Sequence, residues 1–271
     1  MIIGKFAKYI ELMQKVNPNK ALGQHFLKDS AVIERIVGLI DQAYAHEALI
    51  EIGPGTGALT KSLLPKYGNI IQCIEVDTRC VEYLERHYSI LKGKIIQADF
   101  LSMNLNPILG ENATIVGNFP YNISSQIVFT IIDHHAFIPS MVGMFQKEVA
   151  LRIAGTPGGK DYGILSIMTQ LYYDAEVNFH ISPDAFDPPP KVMSSVITLK
   201  RRKDIPSDFS HALFKKVVKA AFNQRRKMLR NALSGLVDPA LLQNDFFQQR
   251  AERLNVEDYI RITKAIETGN F

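Results

Sequence analysis

The chain has 271 residues, a length that allows one large domain or two unequal ones, and 46% of the residues are hydrophobic. No run approaches the roughly 18 consecutive apolar residues of a membrane span, and the N-terminus lacks the apolar core of a secretory signal. The two cysteines, Cys73 and Cys80, offer neither a disulfide framework nor a cysteine-based zinc site. We therefore expect a soluble, cytoplasmic protein without a membrane anchor or a metal.

The net charge of +4 is unevenly distributed. Residues 200–271 contain 15 of the 31 Lys and Arg but only 8 of the 27 Asp and Glu, whereas residues 1–199 have a small acidic excess. Residues 1–28 contain one acidic residue, Glu11, and five lysines: Lys5, Lys8, Lys15, Lys20 and Lys28. Two basic ends predict a bound polyanion, although solvated helix faces would give the same pattern.

Between residues 30 and 150, short apolar runs alternate with helical periodicity, which predicts an α/β domain with a mostly parallel sheet. The predicted strands are Ala48–Ile52, Ile70–Val76, Lys94–Ala98, Ala113–Gly117 and Ser140–Gln146, with a late strand at Val192–Lys200. The predicted helices are Asp29–Gln42, Gly57–Tyr67, Thr78–Tyr88, Ser124–His134 and Tyr162–Tyr173, then Phe209–Leu233 and Leu254–Glu267. The polar stretch 201–208 is the expected boundary, giving a basic N-terminal segment (1–28), an α/β domain (29–203) and a small all-helical domain (204–271).

A glycine-rich turn follows the first predicted strand, in the string Glu-Ile-Gly-Pro-Gly-Thr-Gly of residues 51–57. Such a turn lets a ligand approach the backbone at the carboxyl edge of a sheet. Gly53, Gly55 and Ala58 also fit the G-x-G-x-x-A pattern of nicotinamide dinucleotide sites, and a tight turn without a ligand is a third interpretation. Glu51 and Pro54 favour the first motif of S-adenosylmethionine methyltransferases, so Glu51, Gly53 and Gly55 are candidate cofactor contacts.

Two acids follow at the ends of the next two strands. Glu75 ends the second strand, about twenty residues after the glycines, where a carboxylate can accept both ribose hydroxyls of either cofactor. Asp99 ends the third strand, where it can accept a hydrogen bond from an adenine amine, although such an Asp is more commonly a cap or turn residue. The series at successive strand ends predicts one shared crevice.

The string Asn-Phe-Pro-Tyr of residues 118–121 ends the fourth strand. The side-chain oxygen of Asn118 and the carbonyl of Phe119, held before Pro120, can accept two hydrogen bonds from an amine on a planar ring, on which Tyr121 stacks. This arrangement turns the amine lone pair toward an electrophile at the glycine turn. We expect catalysis by orientation, without a covalent nucleophile or a metal.

Several segments together resemble the ribosomal RNA adenine dimethyltransferases, most closely the KsgA/RsmA branch, which dimethylates two adjacent adenines near the 3′ end of small-subunit (16S) rRNA. They are Asn19–Asp29, the four strand-end motifs, Phe145–Glu148, Phe186–Val192 and Ala221–Leu233, and the likeness extends over about residues 18–265. The family usually has Asn at the position of His25 and Leu at the position of Phe119.

The resemblance implies a Rossmann-like class I S-adenosylmethionine methyltransferase domain followed by a helical RNA-binding domain. It implies S-adenosyl-L-methionine as cofactor and small-subunit rRNA within a pre-ribosomal 30S particle as partner, and we expect a monomer. The cofactor contacts that it implies are His25, Leu27, Gly53, Glu75, Asp99 and Asn118.

The basic tail is the predicted RNA contact. If Ser210–Leu233 is one helix, its exposed stripe contains Lys216, Lys219, Lys227 and Arg230, with Phe214 and Leu229 on the opposite face. The stripe is expected to contact phosphates. Arg225 projects on the apolar side, which predicts a buried pairing or an interdomain role.

Three alternatives remain at this point. The first is the related macrolide-resistance methyltransferase, which modifies a large-subunit adenine, although the tail motif argues against it. The second is a non-catalytic RNA-binding assembly or transcription factor on the same fold, although the intact residues 118–121 argue for activity. The third is a nicotinamide-dependent dehydrogenase, for which the sequence offers no plausible hydride-transfer acid.

Overall fold

The computed structural model describes residues 16–44 and 48–271, so Lys5, Lys8, Glu11 and Lys15 lie outside the described residues. The strands of the described residues are β1 (Phe26–Leu27), β2 (Ala48–Ile52), β3 (Ile71–Glu75), β4 (Ile95–Gln97), β5 (Ala113–Asn118), β6 (Ser140–Gln146), β7 (Tyr173–Ile181), β8 (Phe186–Asp187) and β9 (Ser194–Arg201). The α-helices are α1 (Ser30–Ala43), α2 (Thr60–Tyr67), α3 (Thr78–His87), α4 (Asn106–Leu109), α5 (Ser124–Asp133), α6 (Lys147–Ile153), α7 (Ile164–Tyr172), α8 (His211–Asn223), α9 (Leu229–Ala232) and α10 (Val256–Thr268). In the part of the chain that is described, no helix is both long and apolar enough to cross a membrane.

The central sheet has the strand order β4-β3-β2-β5-β6-β9-β7. Strand β2 pairs in parallel with β3 on one side and with β5 on the other, and β3–β4 and β5–β6 are also parallel. Because the chain order reverses beside β2, a crevice opens outside the carboxyl ends of β2 and β5, where ligands bind in open α/β sheets. The predicted α/β fold with a mostly parallel sheet is confirmed.

The helices of this sheet form where capping and apolar periodicity coincide. Asp29 caps α1 by accepting from the backbone N–H groups of Ala31 and Val32, and Ile36 and Ile40 of that helix are buried. Strand β2 is buried along nearly its whole length, as expected of a parallel strand covered on both faces. This burial fixes the register, and therefore the positions of the residues that follow each strand.

The chain divides into two compact units. The first comprises the described residues up to Lys147 together with Asn178–Thr198, and the second comprises Glu148–Val177 and Leu199–Phe271. The second unit is therefore larger than the predicted segment 204–271, because it also takes in α6 and α7. Within it, the buried Tyr259 of α10 packs against Phe214 and Phe222 of α8, with ring centroids 6.5 and 6.2 Å apart.

Two elements of secondary structure differ from the prediction. The predicted helix Phe209–Leu233 ends at Asn223, because Met228 forms a β-bridge with Arg250 and the Leu229 N–H donates to the Gln249 carbonyl. These pairings take the chain out of helical geometry before the short helix α9. Strand β7 is the second difference, because no strand is predicted there although its residues alternate between apolar and polar.

Candidate functional site

A pocket of about 210 Å³ lies in the first unit, at the carboxyl ends of β2, β3 and β5. It brings together every residue that the sequence predicts for cofactor binding or catalysis. These residues are His25, Leu27, Glu51, Gly53, Gly55, Glu75, Asp99, Asn118, Phe119, Pro120 and Tyr121. We call it the strand-end pocket.

The glycine turn supplies one wall of the strand-end pocket. Gly53 and Gly55 have φ values of 65° and 57°, in the left-handed region that favours glycine. A Cβ atom at Gly55 would lie only 2.8 Å from Cε1 of Phe26. The turn therefore needs glycine for its backbone angles and also for the close passage of the N-terminal residues.

Glu75 is held by the backbone on both sides. Its Oε2 accepts from the Gly55 N–H at 3.0 Å and its Oε1 accepts from the Asp77 N–H at 2.9 Å. Burial raises the pKa of Glu75, while these backbone N–H groups oppose the rise. Each carboxylate oxygen keeps a further lone pair, so the side chain can still accept hydrogen bonds from a diol.

Glu51 lies on the floor of the pocket. Only 2% of the residue is exposed, and its Oε2 atom has no hydrogen-bond partner in the described structure. Burial raises the pKa of Glu51 to about 7, and the neighbouring Glu75 adds to this rise. A buried oxygen without a partner beside a pocket is suited to a ligand that supplies the missing donor.

Asp99 has two roles in the geometry. Its Oδ1 accepts from the Leu101 N–H at 2.9 Å, which is the turn-capping arrangement considered from the sequence. The residue is also exposed and lines the strand-end pocket. The cap occupies one oxygen of the carboxylate, and the other can still accept a hydrogen bond.

Residues 19–28 form an N-terminal strap along the strand-end pocket. Its strand β1 pairs antiparallel with β8, matching Phe26 with Asp187 and Leu27 with Phe186. This pairing explains why residues so far apart in sequence contribute to one site. It also places His25 and Leu27 at the pocket, as the family resemblance implied.

Gln24 and Asp77 form a clasp that no sequence motif predicts. The Gln24 Nε2 donates to Asp77 Oδ2 at 3.0 Å, and the Gln24 Oε1 accepts from the Asn19 N–H at 2.8 Å. Arg79 donates to both oxygens of Asp77 and to the Asn17 carbonyl. These contacts, led by the Arg79 guanidinium, lower the pKa of Asp77. The clasp ties the strap to the residues that follow Glu75.

Asn118 ends β5 with its side-chain amide held in one orientation. Its Nδ2 donates to the backbone carbonyl of His25 at 2.8 Å. Because that bond identifies the donor end of the amide, Oδ1 is the end that can accept. Asn118 is therefore oriented as the sequence prediction for an amine acceptor requires.

Phe119 is predicted to act through its backbone carbonyl. Its side chain is buried against Phe145, with ring centroids 5.1 Å apart, and a Cβ atom at Gly143 would lie 2.2 Å from the Phe119 ring. The larger ring in place of the usual Leu is accommodated by glycine at positions 117 and 143. The predicted role of Phe119 lies in the carbonyl that precedes Pro120 and does not involve this buried ring.

Tyr121 and His25 form a stacked pair at the pocket, with ring centroids 5.5 Å apart and an interplanar angle of 24°. The Tyr121 hydroxyl bonds Ser194 Oγ at 2.5 Å, and burial raises the pKa of Tyr121. His25 Nδ1 lies 2.8 Å from the Pro188 carbonyl, which can only accept, so Nδ1 carries the proton. Both rings are therefore fixed in orientation by partners outside the pocket.

The residues of this pocket agree with a comparison of the whole chain. Residues 15–268 match the family model described as ribosomal RNA adenine dimethylase. The chain belongs to the ribosomal RNA adenine dimethylase family. The resemblance seen in the sequence is confirmed, and the nicotinamide-dependent dehydrogenase alternative loses its support.

Two bacterial proteins illustrate the similarity. The ribosomal RNA small subunit methyltransferase A of Flavobacterium johnsoniae is 47% identical over 257 residues, covering 94% of this chain and 98% of that protein. The protein of the same name from Parabacteroides distasonis is 45% identical over 258 residues, covering 93% of this chain and 94% of that protein.

Two solved structures share the fold of this dimethylase family member. A dimethyladenosine transferase from Plasmodium falciparum has a TM-score of 0.76 at 22% identity, covering 91% of this chain and 99% of the other. The 23S rRNA methyltransferase ErmE has a TM-score of 0.66 at 24% identity, covering 90% of this chain and 100% of the other. The class I methyltransferase fold is thereby confirmed.

The basic residues predicted for RNA contact lie in the second unit of this dimethylase family member. Lys216, Lys219, Lys227 and Arg230 are all exposed. The prediction that they share one helical stripe is wrong, because Lys216 and Lys219 lie on α8 whereas the other two follow its end. They form two separate pairs.

Arg225 also follows the end of α8. It donates from Nε to Glu252 at 3.1 Å, and its guanidinium reaches the carbonyls of Gly159 and Lys160. The predicted pairing is therefore present, but it is not buried, since 40% of the side chain is exposed. These partners all belong to the second unit, where Arg225 joins three separate stretches of chain.

Proposed function

We propose that this protein uses S-adenosyl-L-methionine to dimethylate N6 of two adjacent adenines in the 3′-terminal hairpin loop of small-subunit rRNA. The observation that carries this proposal is the hydrogen bond from Asn118 Nδ2 to the His25 carbonyl, which turns Oδ1 into the acceptor that an adenine amine needs. The small-subunit methyltransferases at 47% and 45% identity support the choice of rRNA subunit over a large-subunit substrate.

The strand-end pocket fits the cofactor chemically. Glu75 offers two fixed carboxylate oxygens for ribose hydroxyls, and the glycine turn admits a ligand close to the backbone. Glu51 has an oxygen without a partner, which a cationic or N–H group of the ligand would satisfy. Asp99 stands at the same edge for an adenine amine. When bound, the cofactor supplies an electrophilic methyl group.

The acceptor residues perform catalysis by orientation. Adenine N6 is a weak nucleophile, because its lone pair is delocalised into the ring. Hydrogen bonds to Asn118 Oδ1 and to the Phe119 carbonyl draw the amine toward tetrahedral geometry, while one face of Tyr121 receives the base. The amine proton is then released to solvent. A monomethylated amine can donate only one of these bonds, so the second transfer requires the same pocket to tolerate the loss of one.

The rRNA is bound through its phosphates, and the target adenine enters the pocket as an unstacked base. A duplex adenine cannot reach such a pocket without flipping, so a loop adenine is favoured. The two exposed pairs, Lys216 with Lys219 and Lys227 with Arg230, supply phosphate contacts. We further propose that the protein acts as a monomer in the cytoplasm on a pre-ribosomal 30S particle, without a metal.

The decisive experiment is incubation with labelled S-adenosyl-L-methionine and unmethylated small subunits, followed by mapping of the modified bases. Large subunits form the parallel sample. Label on two adjacent adenines of small-subunit rRNA is expected. Label on the large subunit alone would assign the protein to the macrolide-resistance type, and binding of RNA without any transfer would assign it to the non-catalytic factors.

A further inference from the structure

Two consecutive apolar side chains are exposed on the segment that precedes β9. Val192 is 45% exposed and Met193 is 40% exposed. The other large apolar side chains that are exposed in the described residues stand singly along the chain: Val76, Ile90, Phe137 and Met228. Single exposed apolar side chains are normal on a protein surface, whereas a contiguous exposed apolar surface marks an interaction site.

The segment that carries this pair is anchored at both ends on the stacked rings of His25 and Tyr121. At its start, the Pro188 carbonyl accepts from His25 Nδ1 at 2.8 Å, and at its end Ser194 Oγ bonds the Tyr121 hydroxyl at 2.5 Å. The Met193 carbonyl also accepts from the Lys147 N–H at 2.9 Å. The apolar pair is therefore held in a fixed position beside the ring on which the target base stacks.

Two lysines flank the apolar pair. Lys191 precedes Val192 in the chain and is exposed, and Lys147 is held next to Met193 by the backbone bond just described. Neither lysine forms a salt bridge with any residue in 16–44 or 48–271. An apolar surface beside the exposed, unpaired Lys191 suits a nucleotide, whose base offers a flat apolar face and whose phosphates need positive charge.

We propose that Lys191, Val192 and Met193 form a ledge that holds the nucleotide adjacent to the adenine in the pocket. This inference rests on the proposed function. Flipping one adenine removes a stacking partner from its neighbour, and the ledge replaces part of that lost contact. Because the two target adenines are adjacent, the nucleotide on the ledge is the second adenine while the first one reacts.

The test combines a protein change with an RNA change. The double variant Val192→Ser with Met193→Ser is compared with wild type for affinity toward a hairpin RNA whose loop contains two adjacent adenines. A second RNA has an abasic nucleotide in place of the neighbouring adenine. Wild type is expected to bind the abasic RNA about 5- to 10-fold more weakly than the intact RNA, whereas the double variant binds both RNAs with the same reduced affinity.

The control variant is Phe137→Ser, which removes an exposed apolar side chain elsewhere in the first unit. It should match wild type on both RNAs, and all three proteins should have the same melting temperature and the same cofactor affinity. Position-resolved mapping on small subunits should then show that the double variant methylates the two adenines more unequally than wild type does.

The ledge would be overturned if the abasic RNA and the double variant each reduced affinity by separate factors that multiply when combined. It would also be overturned if the double variant bound the intact RNA as tightly as wild type does. A defect seen with ribosomal particles but absent with the hairpin would overturn it as well, because the surface would then contact another component. The binding comparison requires no methyl transfer, so it is distinguishable from a failure of the proposed function, which would appear as unlabelled small subunits with wild-type protein.

Discussion

The side chain of Asn118 and the backbone carbonyl of His25 are joined by a hydrogen bond of 2.8 Å across 93 positions of sequence. This bond connects the end of β5 to the N-terminal strap and fixes the orientation of the Asn118 amide. The same strap is clasped by Gln24 to Asp77, which follows Glu75. The residues proposed to bind the cofactor and those proposed to orient the amine are thus positioned by one short segment.

Replacement of Asn118 should slow the chemical step more than it weakens binding. Asn118→Ala removes one of the two proposed acceptors for the amine, and loss of one group that stabilises a transition state costs about 10²-fold or more in turnover. Single-turnover methyl transfer at saturating cofactor and RNA measures this directly.

The control for that change is Asn106→Ala, which removes an exposed Asn of α4 that does not line the strand-end pocket. Its turnover should remain close to wild type. If Asn118→Ala keeps turnover within about threefold of wild type, equivalent to less than about 0.7 kcal/mol of barrier, catalysis by orientation at this residue is wrong.

Replacement of Glu75 should weaken cofactor binding. Glu75→Ala removes the carboxylate that is positioned by the Gly55 and Asp77 N–H groups, and hydrogen bonds to charged groups contribute about 1.5–3 kcal/mol. Calorimetric titration with S-adenosyl-L-methionine checks this expectation. Glu82→Ala, on the exposed side of α3, provides the matched loss of one carboxylate. Equal affinity in the two folded variants would remove Glu75 from the site.

The sequence predicted the sheet well because its strands are set by local apolar runs. Strands β2 and β6 have the predicted bounds, Ala48–Ile52 and Ser140–Gln146. The pocket residues at the strand ends follow from this, since parallel strands end at a common edge. His25 and Leu27 are implied only by the family resemblance. Strand β7 alternates as clearly, but it begins directly after α7, and no turn residue marks its start.

Other features depend on contacts between distant residues, and local patterns do not contain them. The helix predicted to reach Leu233 ends early because Met228 pairs with Arg250, and the apolar spacing through Leu229 gives no sign of that bridge. The clasp between Gln24 and Asp77 joins residues 53 positions apart. A Gln and an Asp are ordinary residues in their own segments, so their pairing can be recognised only in the folded structure.

Glu51 should make the stability of the free protein depend on pH. Its folded pKa is about 7, above the ordinary value of 4.5, so the folded state binds the proton more tightly than the unfolded state does. The resulting stability is fully present below about pH 4.5 and is lost as the pH rises through about 7. Between pH 5 and pH 8, wild type should lose about 2 to 3 kcal/mol relative to Glu51→Gln.

Denaturant unfolding of both proteins at the two pH values gives that difference, because other titrating groups are common to both. A constant gap between wild type and Glu51→Gln across this range would show that Glu51 is already ionised in the folded protein at pH 5.

Cofactor binding should be sensitive both to loss of the Gln24 side chain and to a negative charge at that position. Gln24→Ala removes the bond to Asp77 and should weaken cofactor binding about threefold to tenfold, because the strap is then less well ordered at the pocket. Gln24→Glu should weaken it further, because a second carboxylate would face Asp77. Calorimetry at low and high salt separates loss of the hydrogen bond from charge repulsion, because salt screens only the repulsion in Gln24→Glu. Equal affinities for both variants and wild type would contradict a positioning role.

The break after α8 makes the two basic pairs separately testable. A lysine or arginine that contacts phosphate adds somewhat less than one unit to the slope of log affinity against log salt, whereas a solvated charge adds little. Lys227→Ala with Arg230→Ala should therefore flatten the slope by about 1–2 units while cofactor affinity stays unchanged. The double variant Lys216→Ala with Lys219→Ala measures the α8 pair alone.

Arg225→Ala is the contrasting variant, because its partners Glu252, Gly159 and Lys160 lie within the second unit. It should lower the melting temperature and leave the slope as in wild type. A wild-type slope in both double variants would place the RNA grip elsewhere, most simply in the lysines of residues 1–28.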